Sequence, residues 1–142
     1  MFFRMYENFS GCRVLAYRVM SNHFHLLLEV PRMANGGLSD EELLRRLGGL
    51  YSEVVVAGVA AELARARKCS IGESESAGEA RTAAIHARFT YRMHNLSEFM
   101  KGLLIRFTRW FNRMHARSGT LWEERFKSVI VERGVAARTI AA

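Results

Sequence analysis

Hydrophobic positions along the chain change period twice, and each change marks a different kind of element. Phe2, Met5, Tyr6 and Phe9 fall at helical spacing, with Ser10-Gly11 behind them as a stop signal. The spacing predicts a helix whose end lies there, entered in mid-helix because no capping residue precedes it. Residues 12–20 alternate loosely and are rich in Val, Leu and Tyr, which predicts a strand. Ser21-Asn22 is a turn pair. Residues 23–30 are the expected return strand, which Pro31 ends. The stretch 12–30 is therefore expected to be a β-hairpin.

Helical spacing then returns. After a glycine-bearing loop over 32–38, Ser39 is placed to cap a helix with Glu42 as its reciprocal partner. That helix is expected to reach about residue 47, where Gly48-Gly49 interrupts. The Ala- and Val-rich stretch 50–67 predicts a second helix. The polar, Gly/Ser-rich stretch 68–79 (KCSIGESESAGE) reads as a loop and as the most mobile segment. Asn95, with Glu98 three residues on, predicts the start of a long helix over 96–116. Leu96, Phe99, Met100, Leu103, Leu104, Phe107, Trp110, Phe111 and Met114 recur there at helical spacing and form one broad apolar face. Ser118-Gly119 ends it. FKSVIV over 126–131 has strand composition, and 135–142 reads as the start of a further helix. The chain has no internal repeat.

A length of 142 residues, 49% apolar and 25% charged, suits one globular domain with a real core rather than two domains or a disordered chain. No apolar run approaches the ~18–20 residues of a membrane span. The first eleven residues are too polar and too few for a signal peptide. Cys12 and Cys69 lie far apart without metal-type spacing, and read as reduced thiols of a cytosolic protein.

The net charge of +7 points to a polyanionic partner. Its distribution sharpens that. Residues 1–100 carry 12 basic and 11 acidic side chains, whereas 101–133 carry eight basic and three acidic. Arg106, Arg109, Arg113 and Arg117 recur every three or four residues, so they are expected to share one helix face away from the apolar one. Such a row can follow a phosphate backbone; the alternative is an ordinary solvated face. Acidic i,i+4 partners are missing within 101–122, which weighs against that alternative. Trp122 and Phe126 alternate with Arg125 and Lys127, an arrangement that suits stacking on unpaired bases. Trp122 is equally suited to a core.

Successive side chains on a strand face opposite ways. His23 and His25 therefore share one face, and Phe24, Leu26 and Leu28 the other. Two imidazoles on one face are half of a divalent-metal site, or else two histidines hydrogen-bonded at a hairpin mouth. For a nucleophile the chain offers Tyr6, Tyr17, Tyr51, Tyr91 and the two cysteines, none beside an activating neighbour. Walker, GxSxG, HExxH and paired-carboxylate signatures are missing.

Tyr17-Arg18-Val19-Met20-Ser21-Asn22-His23-Phe24-His25-Leu26-Leu27-Leu28 resembles the HUH motif (His-hydrophobe-His) of the single-tyrosine transposases, the insertion-sequence enzymes and their REP-associated relatives. A second block resembles that family's long helix and its Gly-x-Leu-Trp-x-x-Arg-Phe segment: Leu96 to Lys101, Phe111 to Arg113, and Gly119 to Ser128. Together they cover about 11–31 and 95–133. The resemblance implies a single α+β domain over 1–142 of ferredoxin-like, HUH type. An antiparallel sheet carries the HUH strand centrally and packs against helices, and 35–94 is a largely helical insertion. It implies that His23 and His25 hold Mg²⁺ or Mn²⁺. It also implies that Asn22, Arg106, Arg109, Arg113, Arg117, Trp122, Arg125 and Lys127 lie along single-stranded or hairpin DNA. A tyrosine nucleophile, a homodimer and a cytoplasmic, nucleoid-associated location complete the expectation. One departure stands out. The family's tyrosine follows the strand that FKSVIVE resembles, and no tyrosine follows Tyr91 here. The chain is accordingly expected to bind DNA without completing strand cleavage alone.

Overall fold

Where the first helix stops decides where the hairpin can begin. Helix α1 (Phe2–Ser10) closes at Gly11, which takes a φ of +73° and donates its N–H to the Glu7 carbonyl at 3.0 Å. Glycine is suited to that left-handed turn because it has no Cβ to clash. The space is also closed: a Cβ at Gly11 would lie 2.7 Å from Arg46 Nη1 and 2.7 Å from His94 Cε1. The chain leaves this corner as strand β1 (Arg13–Val19) and returns as β2 (Phe24–Glu29). The Met20 N–H donates to the His23 carbonyl at 2.8 Å across the predicted Ser21-Asn22 turn.

The computed structural model describes residues 2–68 and 75–131. Within them the element order is α1, β1, β2, then α2 (Asp40–Gly48), α3 (Glu53–Arg67), α4 (Glu75–Thr90) and α5 (Leu96–Met114). This is an α+β arrangement with one antiparallel, two-stranded sheet. The register pairs Val14 with Leu28, Tyr17 with Leu26, Arg18 with His25 and Val19 with Phe24, with an irregularity between Val14 and Ala16.

Both predicted caps form. Ser39 Oγ accepts from the Glu42 N–H at 3.2 Å, and Asn95 Oδ1 accepts from the Glu98 N–H at 3.2 Å. The Glu42 carboxylate does not turn back to Ser39; it takes Arg45 Nε and Arg46 Nε, each at 2.7 Å. Two ion pairs and a histidine contact tie α2, α3 and α4 together: Arg67 to Asp40 at 2.6 Å, Arg88 to Glu62 at 2.6 Å, and His86 Nε2 to Asp40 Oδ1 at 2.7 Å.

Two apolar clusters share α1. Phe9 packs with Leu43, Leu47, Val59, Leu63, Phe89 and Met93 of the helical part. Tyr6 packs with Cys12, Phe99, Met100 and Leu103, against which Val14, Phe24, Leu26 and Leu28 of the hairpin rest. Gly102 lets α1 approach α5: Tyr6 Oη donates to the Gly102 carbonyl at 2.7 Å, and a Cβ there would meet the Tyr6 ring at 2.5 Å. Burial raises the pKa of the Tyr6 phenol and of the Cys12 thiol.

Four expectations are corrected. Residues 75–79 belong to helix α4 rather than a loop. Gly78 fits because it lies against α3, where a Cβ would come within 3.1 Å of the Ala66 carbonyl. Residues 126–131 form no strand, because no described strand offers them a ladder; Val129 and Ile130 are 86% and 96% exposed. For the same reason β2 is not central among the described residues, since it pairs with β1 alone. Helix α5 ends at Met114, short of 116, and Ala116 turns left-handed with φ +48°. The expected helix over 135–142 and the middle of the 68–79 segment lie outside the described residues. No described helix is long and apolar enough to cross a membrane.

Gly11→Ala combines a strained φ with a closed space, so it is expected to lower unfolding free energy by about 2–4 kcal/mol, read from urea denaturation. Acid titration gives a second expectation. Hydrogen bonds from Arg45 and Arg46 hold Glu42 down from 4.5 to about 2, and the Arg67 hydrogen bond lowers Asp40. A depressed folded-state pKa contributes stability that is present above the unfolded value and lost as pH falls. The melting temperature should therefore drop between pH 4.5 and about 2. Glu42→Gln should melt lower at neutral pH and lose less over that acid range.

Candidate nucleic-acid interface

The hairpin carries its histidines as strand alternation requires. Phe24, Leu26 and Leu28 turn to the apolar cluster, while His23 and His25 are exposed. The two rings stand edge to face with centres 5.3 Å apart. His23 lies one residue before β2, in the turn, and its Nδ1 donates to Asn22 Oδ1 at 2.7 Å. That contact fixes the tautomer and leaves Nε2 with a lone pair facing outward from the bond.

The register adds a residue that motif reading did not single out. Arg18 pairs with His25, and directly paired residues put their side chains on one face. The exposed face of the hairpin tip is therefore Arg18, His23 and His25. Tyr17 pairs with Leu26 on the opposite face, where its ring lies 5.3 Å from that of Phe3.

With ligand nitrogens about 2 Å from an ion, two imidazoles on one ion have ring centres roughly 5 Å apart. The observed spacing fits that. The described residues group no third His, Cys, Asp or Glu with the pair. The donor set thus suits a weakly held divalent ion, most of whose positions would be filled by water or by a ligand's oxygens.

A groove of about 620 Å³ opens beside His23. Phe24, Phe107, Phe111 and Trp122 are among its lining, with Asn22 and His23 on one side and Glu123 and Glu124 also present. Trp122 is half-buried and held from several directions. Its ring stands 5.6 Å from Phe24 and 5.8 Å from Phe107, and Nε1 donates to Thr108 Oγ1 at 3.0 Å. It pins the segment after α5 onto α5 and β2. Arg117 lies beside this groove, its guanidinium 5.9 Å from the Phe111 ring centre.

The other arginines lie elsewhere. Arg106, Arg109 and Arg113 line a second groove, about 520 Å³, together with Tyr6, Tyr51, Arg92 and Trp110. No carboxylate lines it. The expected row of four is therefore a row of three: α5 ends before Arg117, which lies over Phe111 instead. Arg92 joins from the turn after α4, donating to Tyr51 Oη at 2.6 Å and covering the Phe9 ring at 5.0 Å. Arg125 lies over Phe126 at 6.0 Å, and Lys127 pairs with Glu124 at 3.3 Å. The two grooves share no lining residue. The structure brings Asn22, His23 and Trp122 into one groove lining, with His25 against His23 and Arg117 over Phe111, and sets Arg106, Arg109 and Arg113 apart from them.

None of the four tyrosines lines the groove beside His23. Tyr6 is buried, Tyr51 is held by Arg92, and Tyr91 is exposed beyond the end of α4. No protein-family model, curated protein or solved structure matches the chain.

The Asn22 contact makes one testable statement about His23. Nitrogen-correlated NMR at neutral pH should show the ring protonated on Nδ1. Asn22→Ala should shift it toward the Nε2-protonated form usual for a free imidazole, and an unchanged tautomer would contradict the contact.

Proposed function

We propose that this chain binds single-stranded or hairpin DNA as a relative of the single-tyrosine HUH transposases. In that role the Arg18–His23–His25 face receives a backbone phosphate together with a Mg²⁺ or Mn²⁺ ion. The observation that supports it most is the histidine pair: two exposed rings 5.3 Å apart on one face of a strand whose other face is anchored in the core.

His23 and His25 would hold the ion, which when bound supplies positive charge to polarise a phosphate oxygen. Asn22 keeps the His23 Nε2 lone pair available by accepting the Nδ1 proton. Arg18, on the same face, gives a charged donor to the phosphate. The aromatic groove alongside receives an unstacked base, and Arg117 at its edge faces the backbone. The arginine groove across α5 holds a further stretch of phosphates by charge. These residues bind and orient a strand. No covalent step is assigned to them, because no tyrosine lines the groove.

A second reading has its own support. The pair lacks a third protein ligand among the described residues, and the arginine groove stands apart from it. On that reading the chain binds nucleic acid through the arginines alone and uses no metal.

Labelled hairpin DNA with a single-stranded flank separates the two. Mn²⁺ is expected to tighten binding several-fold to wild type and to leave the His23→Ala/His25→Ala variant unaffected. Equal Mn²⁺ response in both proteins would sink the metal reading and leave the second one. Arg109→Ala and Arg113→Ala are each expected to reduce the slope of log K against log salt by about 1. An unchanged slope would remove the arginine groove from either reading.

A further inference from the structure

The groove beside His23 contains a charge that phosphate binding does not explain. Glu124 is paired with Lys127 at 3.3 Å, but Glu123 makes no hydrogen bond or ion pair among the described residues. It is not grouped with the histidines as a further metal ligand either. A carboxylate with no partner among the described residues, beside a site for a polyanion, costs affinity by like-charge repulsion. It is useful there only if something in the ligand donates hydrogen bonds to it.

We propose that this groove takes one unpaired nucleobase and that Glu123 selects a base with an exocyclic amine, cytosine over thymine. The inference rests on the strand-binding reading above and adds a specificity to it. Three observations carry it. The volume, about 620 Å³, lies within the ~300–1,000 Å³ of small-ligand sites. The lining is aromatic, with Phe107, Phe111 and Trp122 contributing, and base–aromatic stacking accepts any base. Among the polar residues of the lining (Ser21, Asn22, His23, Glu123 and Glu124), Glu123 is a carboxylate with no partner among the described residues, and a carboxylate accepts hydrogen bonds and donates none. Cytosine presents its N4 amine to such a group, whereas thymine presents the O4 acceptor at the same place and is repelled. Stacking thus supplies the general hold and Glu123 the choice. The carboxylate acts as much by rejecting thymine as by attracting cytosine.

The test uses the full chain and two labelled single strands about ten nucleotides long, one of deoxycytidine and one of thymidine, at pH 7.5. Anisotropy titrations of wild type are expected to show the cytosine strand binding at least about fivefold tighter. Glu123→Ala should bring the two strands to about equal affinity, mainly by improving the thymine strand. Glu123 is exposed and unpaired among the described residues, so the variant is expected to fold, and its circular dichroism checks that. Equal wild-type affinity for the two strands overturns the proposal, as does a cytosine preference that survives in Glu123→Ala. Failure of both strands to bind wild type overturns the strand-binding reading itself, a different result from binding without preference.

Discussion

The structure depends on one crowded joint, where the end of α1 meets the turn between α4 and α5. The His94 N–H donates to the Ser10 carbonyl at 2.7 Å, and His94 itself is left-handed with φ +51°. Its ring gives Nδ1–H to the Pro31 carbonyl at 2.8 Å and presents Nε2 to Arg46 Nη1 at 3.4 Å. Ser10 Oγ accepts from the Cys12 N–H at 3.0 Å. One residue thereby fixes the end of the first helix through its backbone N–H, and the exit of the hairpin and the side of α2 through its imidazole. Gly11 sits under it with no room for a methyl group. Side chain and backbone groups that would otherwise be buried without partners satisfy one another there, which is why Ser10 is buried although polar.

The joint matters because α1 belongs to two cores. Phe9 faces the helical cluster and Tyr6 the hairpin cluster, and full burial of such a ring contributes about 2–3 kcal/mol. A shift of α1 would loosen both at once. The histidine face is consequently held by parts of the chain remote from it. Phe24 and Leu26 anchor β2 on the cluster that Tyr6 completes, and Trp122 presses on Phe24 from the other side. The backbone that carries His23 and His25 is held by packing behind the strand, and the Asn22 contact and the edge-to-face ring contact orient the rings in front of it.

What the sequence made legible were features that depend on neighbours a few residues away. The hairpin, its Ser21-Asn22 turn, the outward histidines and the Ser39 and Asn95 caps are of this kind, because alternation and capping are local rules. Features that depend on distant partners were not. The polar composition around Gly78 suggested a loop, yet glycine there admits α4 to close approach on α3. FKSVIV has the residues of a strand but no ladder to join. Arg18 was recoverable, since the hairpin register puts it opposite His25. Arg92 was not, because only the packing of α4 and α5 against α1 brings it to Tyr51. Arg117 shows the limit of periodicity: spacing placed it with the arginine row, and a helix end three residues earlier removed it.

That last displacement bears on what kind of ligand the molecule can accommodate. At about 100° per residue, Arg106, Arg109 and Arg113 occupy a sector of roughly 60° on α5, and Phe107 and Phe111 lie about 100–140° round from Arg106. The arginine groove and the aromatic groove therefore flank the buried side of α5, Arg106 opening toward Tyr6 and Phe107 toward Trp122. A helix with its side chains is about 10–12 Å across. A strand stacked throughout advances about 3.4 Å per nucleotide, so one that stayed stacked while touching both grooves would use about three nucleotides to cross α5. On the proposed reading a mononucleotide would occupy one groove without bridging to the other. Charge-driven affinity and base-dependent preference would on that reading reside at separate places, coupled only through the length of the ligand. They could then be altered one at a time, which a row of four arginines beside the histidines would not allow.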